Sequence, residues 1–422
     1  MNKLIHNARK PHIACVLWEP DYYLRHNAIL KSQALGQMRY LLSLGARITI
    51  ICSDPSPNEF NKEFGADLER EGFQVIPIAK SGFKNFQTLM MFRQKLKKLN
   101  QKFAIDFFYF RNYWNFLAVP NRYIKAVFDL RGANHEETNY RAKRWGSPIL
   151  NFKNRIYTYF ERNAIKRANY MQCVSSPLKE YIFKYFLRDD VEVVNSCVEK
   201  KRFQNCRQNR EKNRASLGIQ PGDIVFLFLG GLYSYQEVDF MFSLWDRVAR
   251  LIKNSKFLFY TSTKNYDTIK NNPLLSDIPS DRVIIKSVVY EDVPEHIAIA
   301  DFGFLLRKDI LLNRVASPVK FAEYLAAGLG VITSPGIGDF SKIVERHKVG
   351  CLVKVGNLEG GMQSISNLLD QFERDRSSFS SRAKEIAVTR LCWDSYKEYF
   401  LNRYFLSLQL HSEACEIEKP NL

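Results

Sequence analysis

Three neighbouring stretches set the architecture of this chain: Ala300-Asp-Phe-Gly-Phe-Leu-Leu-Arg-Lys308, Ser317-Pro-Val-Lys-Phe-Ala-Glu-Tyr-Leu-Ala-Ala-Gly328 and Val331-Ile-Thr-Ser-Pro-Gly-Ile-Gly-Asp339. The first is an apolar strand that ends in two cations. The second has Pro318 in the first turn of a helix, where a missing N–H costs little, and Gly328 at its stop. The third is another strand, followed by a glycine-containing loop. Free amides at the start of such a helix attract an anion, and Lys320 adds charge to the first turn. Glu323, one turn on, can aim a carboxylate at the vicinal hydroxyls of a ribose and accept from both. Taken alone, Glu323 reads more simply as a solvated helix residue.

Outward from this unit the same alternation continues. Strands are expected at 224–230, 256–261, 281–285, 302–306, 331–334 and 349–353, with helices at 236–252, 292–299 and 318–327. The first half offers strands at 12–18, 47–52, 73–78, 105–110, 124–129, 169–174 and 191–194. Between its first two strands, Leu30, Ala34, Met38 and Leu41 share one helical face, and Gly45 stops the helix. Alternation of this length predicts parallel sheets covered by helices on both faces. Glu199 to Arg214 is polar and holds Lys200, Lys201, Arg202, Arg207, Arg210, Lys212 and Arg214, so it reads as a basic linker. The fold class is α/β. Two doubly wound, Rossmann-like domains are expected, 1–198 and 215–390, joined by 199–214 and facing across a cleft. A C-terminal helix within 393–410 returns to the first domain. In open sheets of this kind, ligands bind beyond the carboxyl ends of the strands.

Composition narrows the class. The chain has 422 residues, 46% hydrophobic and 25% charged, the proportions of a folded protein and not of a disordered one. Its longest apolar runs fall short of the ~18–20 residues of a membrane-spanning helix. The apolar stretch His12–Trp18, closed by Glu19-Pro20, is too short for a signal peptide. Eight cysteines without a Cys-x-x-Cys pair, most in apolar segments, read as buried thiols in a reducing compartment. The seven histidines have no metal-binding spacing, so no metal is expected. Lys and Arg number 62 against 44 Asp and Glu, a net charge of +18, which suits nucleic acid, an anionic membrane surface or a phosphorylated substrate.

Further segments join the donor-like helix in one pattern: Phe128-Asp-Leu-Arg-Gly132 followed by Glu136-Glu137, Ala168-Asn-Tyr-Met-Gln-Cys-Val-Ser175, Val193–Phe203, Phe228-Leu-Gly-Gly-Leu232 and Trp393-Asp394. In order and spacing, from about 12 to 405, the sequence resembles the retaining glycosyltransferases of family 4 with the GT-B fold. The resemblance is to the subgroup whose donor helix reads Ser-Pro-x-Lys-x-x-Glu-Tyr-Leu-Ala-x-Gly. It implies a nucleotide diphosphate sugar bound by the second domain, with Glu323 on the ribose and the amides of Ser317, Pro318 and Lys320 near the diphosphate. Gly336 and Gly338 would lie by the sugar or phosphate. Asp129, Arg131 and Glu136 would serve the acceptor in the first domain. His135, Glu137, His26 and Tyr22 are weaker acceptor-side candidates. Transfer would retain configuration without a metal, a cofactor or a covalent nucleophile, so protein cations must meet the charge of the leaving diphosphate.

The sequence departs from the pattern where that charge is met. Val315 stands where a Glu is common, and Gly231 and Gln236 stand where an Arg and a Lys clamp the diphosphate. Arg307 is the preferred replacement, at a strand's carboxyl end, with Lys308, Arg314 and Lys320 as alternatives. Gly230 and Gly231 either let the backbone approach phosphate or allow close packing.

The remaining charge lies in the first half. Residues 92–103 hold five cations and no acid, including Arg93, Lys95, Lys97 and Lys98, behind a stripe of Leu89, Phe92, Leu96, Leu99 and Phe103. Residues 141–167 hold eight cations against Glu161, among them Arg141, Lys143, Arg144 and Lys153, with interleaved aromatics. The apolar stripes read as core, and the cations as candidates for lipid headgroups, each adding ~1 kcal/mol near an anionic surface. The expectation is a hexosyltransferase, peripheral on the inner face of the cytoplasmic membrane. It would transfer to a glycan or lipid-linked acceptor in cell-surface polysaccharide or lipopolysaccharide assembly. A degenerate GT-B protein and a sugar-nucleotide epimerase are the alternatives. Nucleic-acid binding ranks below them, since none of the usual motifs is present.

Overall fold

The computed structural model describes residues 9–17, 28–54, 64–79, 86–119, 125–134, 136, 137, 140, 148–276 and 278–408. The chain divides into two units. One contains residues up to Val174, Leu178–Val194 and the segment from Tyr396, and the other contains Ser175–Pro177 and Asn195–Ser395.

The first unit is a seven-stranded sheet of β1 (His12–Leu17), β2 (Arg47–Asp54), β3 (Gln74–Ala79), β4 (Phe107–Phe110), β5 (Lys125–Leu130), β6 (Tyr170–Cys173) and β7 (Val191–Val193). Its order is β3-β2-β1-β4-β5-β6-β7, with every pairing parallel. β1 and β4 are buried along their whole length. That is why their sequences are continuous apolar runs and not alternating ones. The segment from Tyr396 packs on this unit, with the Tyr404 ring 5.2 Å from Phe107 and Lys125 Nζ donating to Ser407 O at 3.3 Å.

The second unit is a six-stranded sheet of β8 (Ile224–Leu229), β9 (Ser255–Tyr260), β10 (Val283–Lys286), β11 (Phe302–Leu305), β12 (Gly330–Thr333) and β13 (Gly350–Leu352). The order is β10-β9-β8-β11-β12-β13, again parallel throughout. Successive residues of β8 point into two different cores. Val225 and Leu227 pack with Phe321, Tyr324 and Ile386, while Ile224, Phe226 and Phe228 pack with Trp245, Leu368 and Phe372. Gly303 on β11 is required by packing, because a Cβ there would lie 2.3 Å from the Tyr324 ring.

The segment 199–214 is not a linker. It forms two short helices, Lys200–Phe203 and Arg210–Ala215, and belongs to the second unit. Arg207 donates to Ala327 O (2.8 Å) and Gly328 O (3.4 Å), at the end of the Val319–Ala326 helix. Arg210 donates to Ala298 O (2.9 Å) and Arg214 to Ile299 O (3.0 Å), at the end of the Val293–Ala298 helix. Asp301 takes a second bond from Arg210 at 2.7 Å. Last-turn carbonyls lack intrahelical partners and carry partial negative charge, so guanidiniums settle on them. Burial, the main cause, lowers the Arg207 pKa to about 10.

Candidate active site

In the second unit the strand order reverses between β8 and β11, the place where open parallel sheets take their ligands. β8 runs out into Gly230-Gly231, and β11 into Leu306-Arg307-Lys308. A backbone bridge between Gln236 and Arg307 ties the two exits together. Arg307 is half-buried. Its N–H donates to Ser334 Oγ at 2.8 Å, its Nη1 to Asn313 Oδ1 at 3.2 Å, and its guanidinium lies 5.4 Å from the centre of the Tyr235 ring. Its Nε is buried without a hydrogen-bond partner. Burial holds the guanidinium below its ordinary pKa, with no acid among the influences on it. Asn313, 1% exposed, fixes the loop by donating to Tyr235 O (3.2 Å) and Lys308 O (2.8 Å). Sequence reading missed Asn313, whose only signal is its place six residues after Arg307.

The Val319–Ala326 helix has Pro318 at its N-cap, just outside the first turn, and no side chain caps its amides. Ser317 Oγ accepts the Ser196 N–H at 2.9 Å and keeps its own hydrogen to donate. Glu323 is 2% exposed, so it is not a solvated helix residue. Its Oε2 lies 2.6 Å from Lys320 Nζ. Lys320 therefore neutralises Glu323. The next residue anchors the helix: Tyr324 Oη accepts the Leu229 N–H at 3.1 Å, at the end of β8.

The other expected cations each have a carboxylate nearby. Arg314 makes a surface ion pair with Asp309 at 2.6 Å, both residues well exposed. Lys308 Nζ lies 4.0 Å from Glu237. Among the glycines, a Cβ on Gly231 would lie 2.8 Å from the ring of Tyr233, an exposed side chain free to turn aside, so packing alone does not require this glycine. A Cβ on Gly230 would lie 3.1 Å from the Phe228 ring and 3.5 Å from Gln236 Oε1, an amide oxygen that is itself buried without a partner among the described residues. Gly336 and Gly338 have positive φ. A Cβ on Gly338 would meet Ala316 O at 2.1 Å, and its N–H donates to Arg314 O at 3.0 Å, so this loop is built against the residues that precede the helix.

In the first unit Asp129 is 1% exposed and acts as an internal counterion. Tyr109 donates to its Oδ2, and Arg111 Nε and Arg131 Nη1 each stand 3.5 Å from a carboxylate oxygen. Burial, and secondarily Asp129, push the Tyr109 phenol well above its ordinary range. Arg131 also donates to Gln33 Oε1 at 2.9 Å. Glu136 is half-buried and, after burial itself, helps to raise the Tyr181 pKa. Lys95, Lys97 and Lys98 are exposed and Arg93 is half-buried, while Phe92 and Leu96 of the same Phe86–Phe103 helix are core. Arg141, Lys143, Arg144, His135, His26, Tyr22 and the Lys153 side chain lie outside the described residues. Among the described residues, no group of three His, Cys, Asp or Glu is placed to hold a metal ion, and no helix is long and apolar enough to cross a membrane.

Two family models match the chain: Glycosyltransferase Family 4 over residues 33–202, and Glycosyl transferases group 1 over residues 223–371. No curated protein matches it. Solved structures share the fold at low identity. A glycosyltransferase from Rickettsia africae has a TM-score of 0.69 at 14% identity, covering 93% of this chain and 98% of that one. HepE from Anabaena, in complex with UDP and glucose, gives 0.64 at 14%, covering 92% and 98%. WaaG, a glycosyltransferase involved in lipopolysaccharide biosynthesis, gives 0.63 at 14%, with the same coverage. The first match lies almost wholly in the first Rossmann-like unit and the second in the other, and the chain is therefore a glycosyltransferase of the family 4 and group 1 type, with the GT-B fold.

Proposed function

We propose that the protein transfers a hexose, with retention of configuration and without a metal, from a nucleotide diphosphate sugar to a glycan or lipid-linked acceptor. The observation that carries this reading is Arg307. A half-buried guanidinium with no ion pair among the described residues is costly unless an anion completes it. It stands at the switch point of the second sheet, beside the glycines at the end of β8 and the loop that precedes the Val319–Ala326 helix. A diphosphate fits that need. Arg307 takes the role of the missing Arg and Lys clamp, and its low-dielectric setting strengthens its hold on charge that develops as the sugar–phosphate bond breaks. Glu323, held by Lys320, accepts from the ribose hydroxyls. The departing phosphate oxygen takes the proton of the attacking acceptor hydroxyl on the same face, so no protein nucleophile is needed.

The UDP and glucose of the HepE complex make UDP-sugars the first donors to test. Asp129 positions Arg131 and Arg111 in the first unit, where the acceptor binds. Exposed Lys95, Lys97 and Lys98 suit an anionic membrane surface at the cytoplasmic face, the setting of polysaccharide or lipopolysaccharide assembly. The test is a thermal-shift screen of UDP-, GDP-, ADP- and CMP-sugars. A donor raises the unfolding midpoint by mass action. If none of these sugars shifts it, the donor assignment falls.

A further inference from the structure

The first unit carries at Arg111 the arrangement that the second carries at Arg307. Its strand order reverses between β1 and β4, as the second reverses between β8 and β11. Arg111 follows β4 directly, and Arg307 follows β11 by two residues. The Arg111 side chain is 8% exposed, and both its Nε and its Nη1 are buried without a hydrogen-bond partner. The carboxylate beside it does not meet the need. Asp129 Oδ2 lies 3.5 Å from Nε and accepts from Tyr109, while Oδ1 stands 3.5 Å from Arg131. A structural ion pair would bring guanidinium and carboxylate to about 2.7–2.9 Å with both nitrogens used.

Elsewhere in this unit, two more buried polar side chains lack partners among the described residues. Asn115 is 1% exposed, four residues after Arg111, and both its amide atoms are buried and unbonded. Ser53, also 1% exposed, lies near the end of β2, and its hydroxyl is unbonded too. A buried guanidinium with two nitrogens unused costs several kcal/mol by ordinary measures, so its retention calls for a ligand.

We propose that the first unit binds an anionic group, a phosphate or a carboxylate carried by the acceptor sugar, with Arg111 as its guanidinium partner. This rests on the transferase reading, and it narrows the acceptor to an acidic or phosphorylated glycan. The planar fork of an arginine matches either oxyanion bidentately, which a lysine does not.

The test uses the full chain as wild type, Arg111→Met, Arg111→Lys and Arg307→Met, with thermal shift and calorimetry. The probes are glucose 6-phosphate, glucuronic acid and neutral glucose, with UDP-glucose run separately. One or both anions should stabilise the wild type and Arg307→Met, and glucose should not. Arg111→Met should lose about tenfold or more in affinity for that anion, with Arg111→Lys in between. A response to glucose 6-phosphate alone identifies phosphate, and one to glucuronate alone identifies carboxylate. UDP-glucose binding should be insensitive to Arg111→Met, so failure of the donor reading shows separately. The proposal is overturned if Arg111→Met answers the anions like wild type, or if neither anion stabilises the wild type or Arg307→Met. Should Arg111→Met not fold, Arg111→Lys carries the comparison.

Discussion

Lys320 and Glu323 form an ion pair of 2.6 Å across one helical turn, in which the carboxylate is 2% exposed and the ammonium side chain 27%. The two ends of the pair are therefore not equivalent. Removing the lysine strands a charge away from water, whereas neutralising the glutamate leaves a lysine that can reach solvent.

Lys320→Met should accordingly destabilise the protein more than Glu323→Gln does, by about 3 kcal/mol or more against about 1–2 kcal/mol. Denaturant unfolding of both variants measures the difference. Glu323→Gln should at the same time weaken nucleotide-sugar binding beyond its effect on stability. Equal unfolding penalties would contradict the assigned asymmetry.

Arg307→Met should raise the unfolding midpoint of the ligand-free protein, because it removes a buried cation that no carboxylate among the described residues neutralises; the gain is about 1 kcal/mol or more. The same variant should lose donor affinity and turnover. Stability and activity moving in opposite directions is the signature to look for. A loss of both would mark Arg307 as structural.

Gly303→Ala should cost about 1–3 kcal/mol or more, since its methyl would fall on the Tyr324 ring. Tyr324 cannot turn away without breaking its bond to the Leu229 N–H. Adding Tyr324→Leu should recover part of the loss from Gly303→Ala, a non-additivity that a double-mutant cycle reads directly.

Stability should fall on mild acidification through His12. Burial, its largest cause, holds this pKa below the ordinary 6.5. Its Nδ1 faces Phe103 O at 2.9 Å and so carries the proton, while Nε2 meets Thr49 Oγ1 at 2.8 Å. The unfolded chain binds more protons here, so the contribution is complete above 6.5 and is lost as pH falls towards the folded value. His12→Gln should flatten the pH profile of the unfolding midpoint in that window.

Much of the fold was legible because parallel strands buried on both faces are continuous apolar runs. His12–Leu17 and Phe302–Leu305 stand out from their surroundings without reference to anything distant. The helix carrying Glu323 was legible for the same local reason, through Pro318 and Gly328. What the sequence did not disclose is which charges are spent. Arg314 and Arg307 are seven residues apart and alike in composition, yet Asp309 pairs with one and no carboxylate among the described residues pairs with the other. Asp129 looked like a cleft residue because its motif does, and only packing shows it enclosed. Arg111 gave one signal, a cation directly after an apolar strand, as Arg307 did after β11.

The arginines of 199–214 change what that stretch means for handling the protein. Seven Lys and Arg residues in sixteen positions advertise a tryptic hot spot between domains. Arg207, Arg210 and Arg214 instead grip the carbonyl ends of two helices. A protease must have the chain extended, and extending it here would uncap both helices and leave three guanidiniums without partners. Limited trypsin digestion should therefore spare this segment until the second unit itself unfolds, and the onset of cleavage there would time that unfolding.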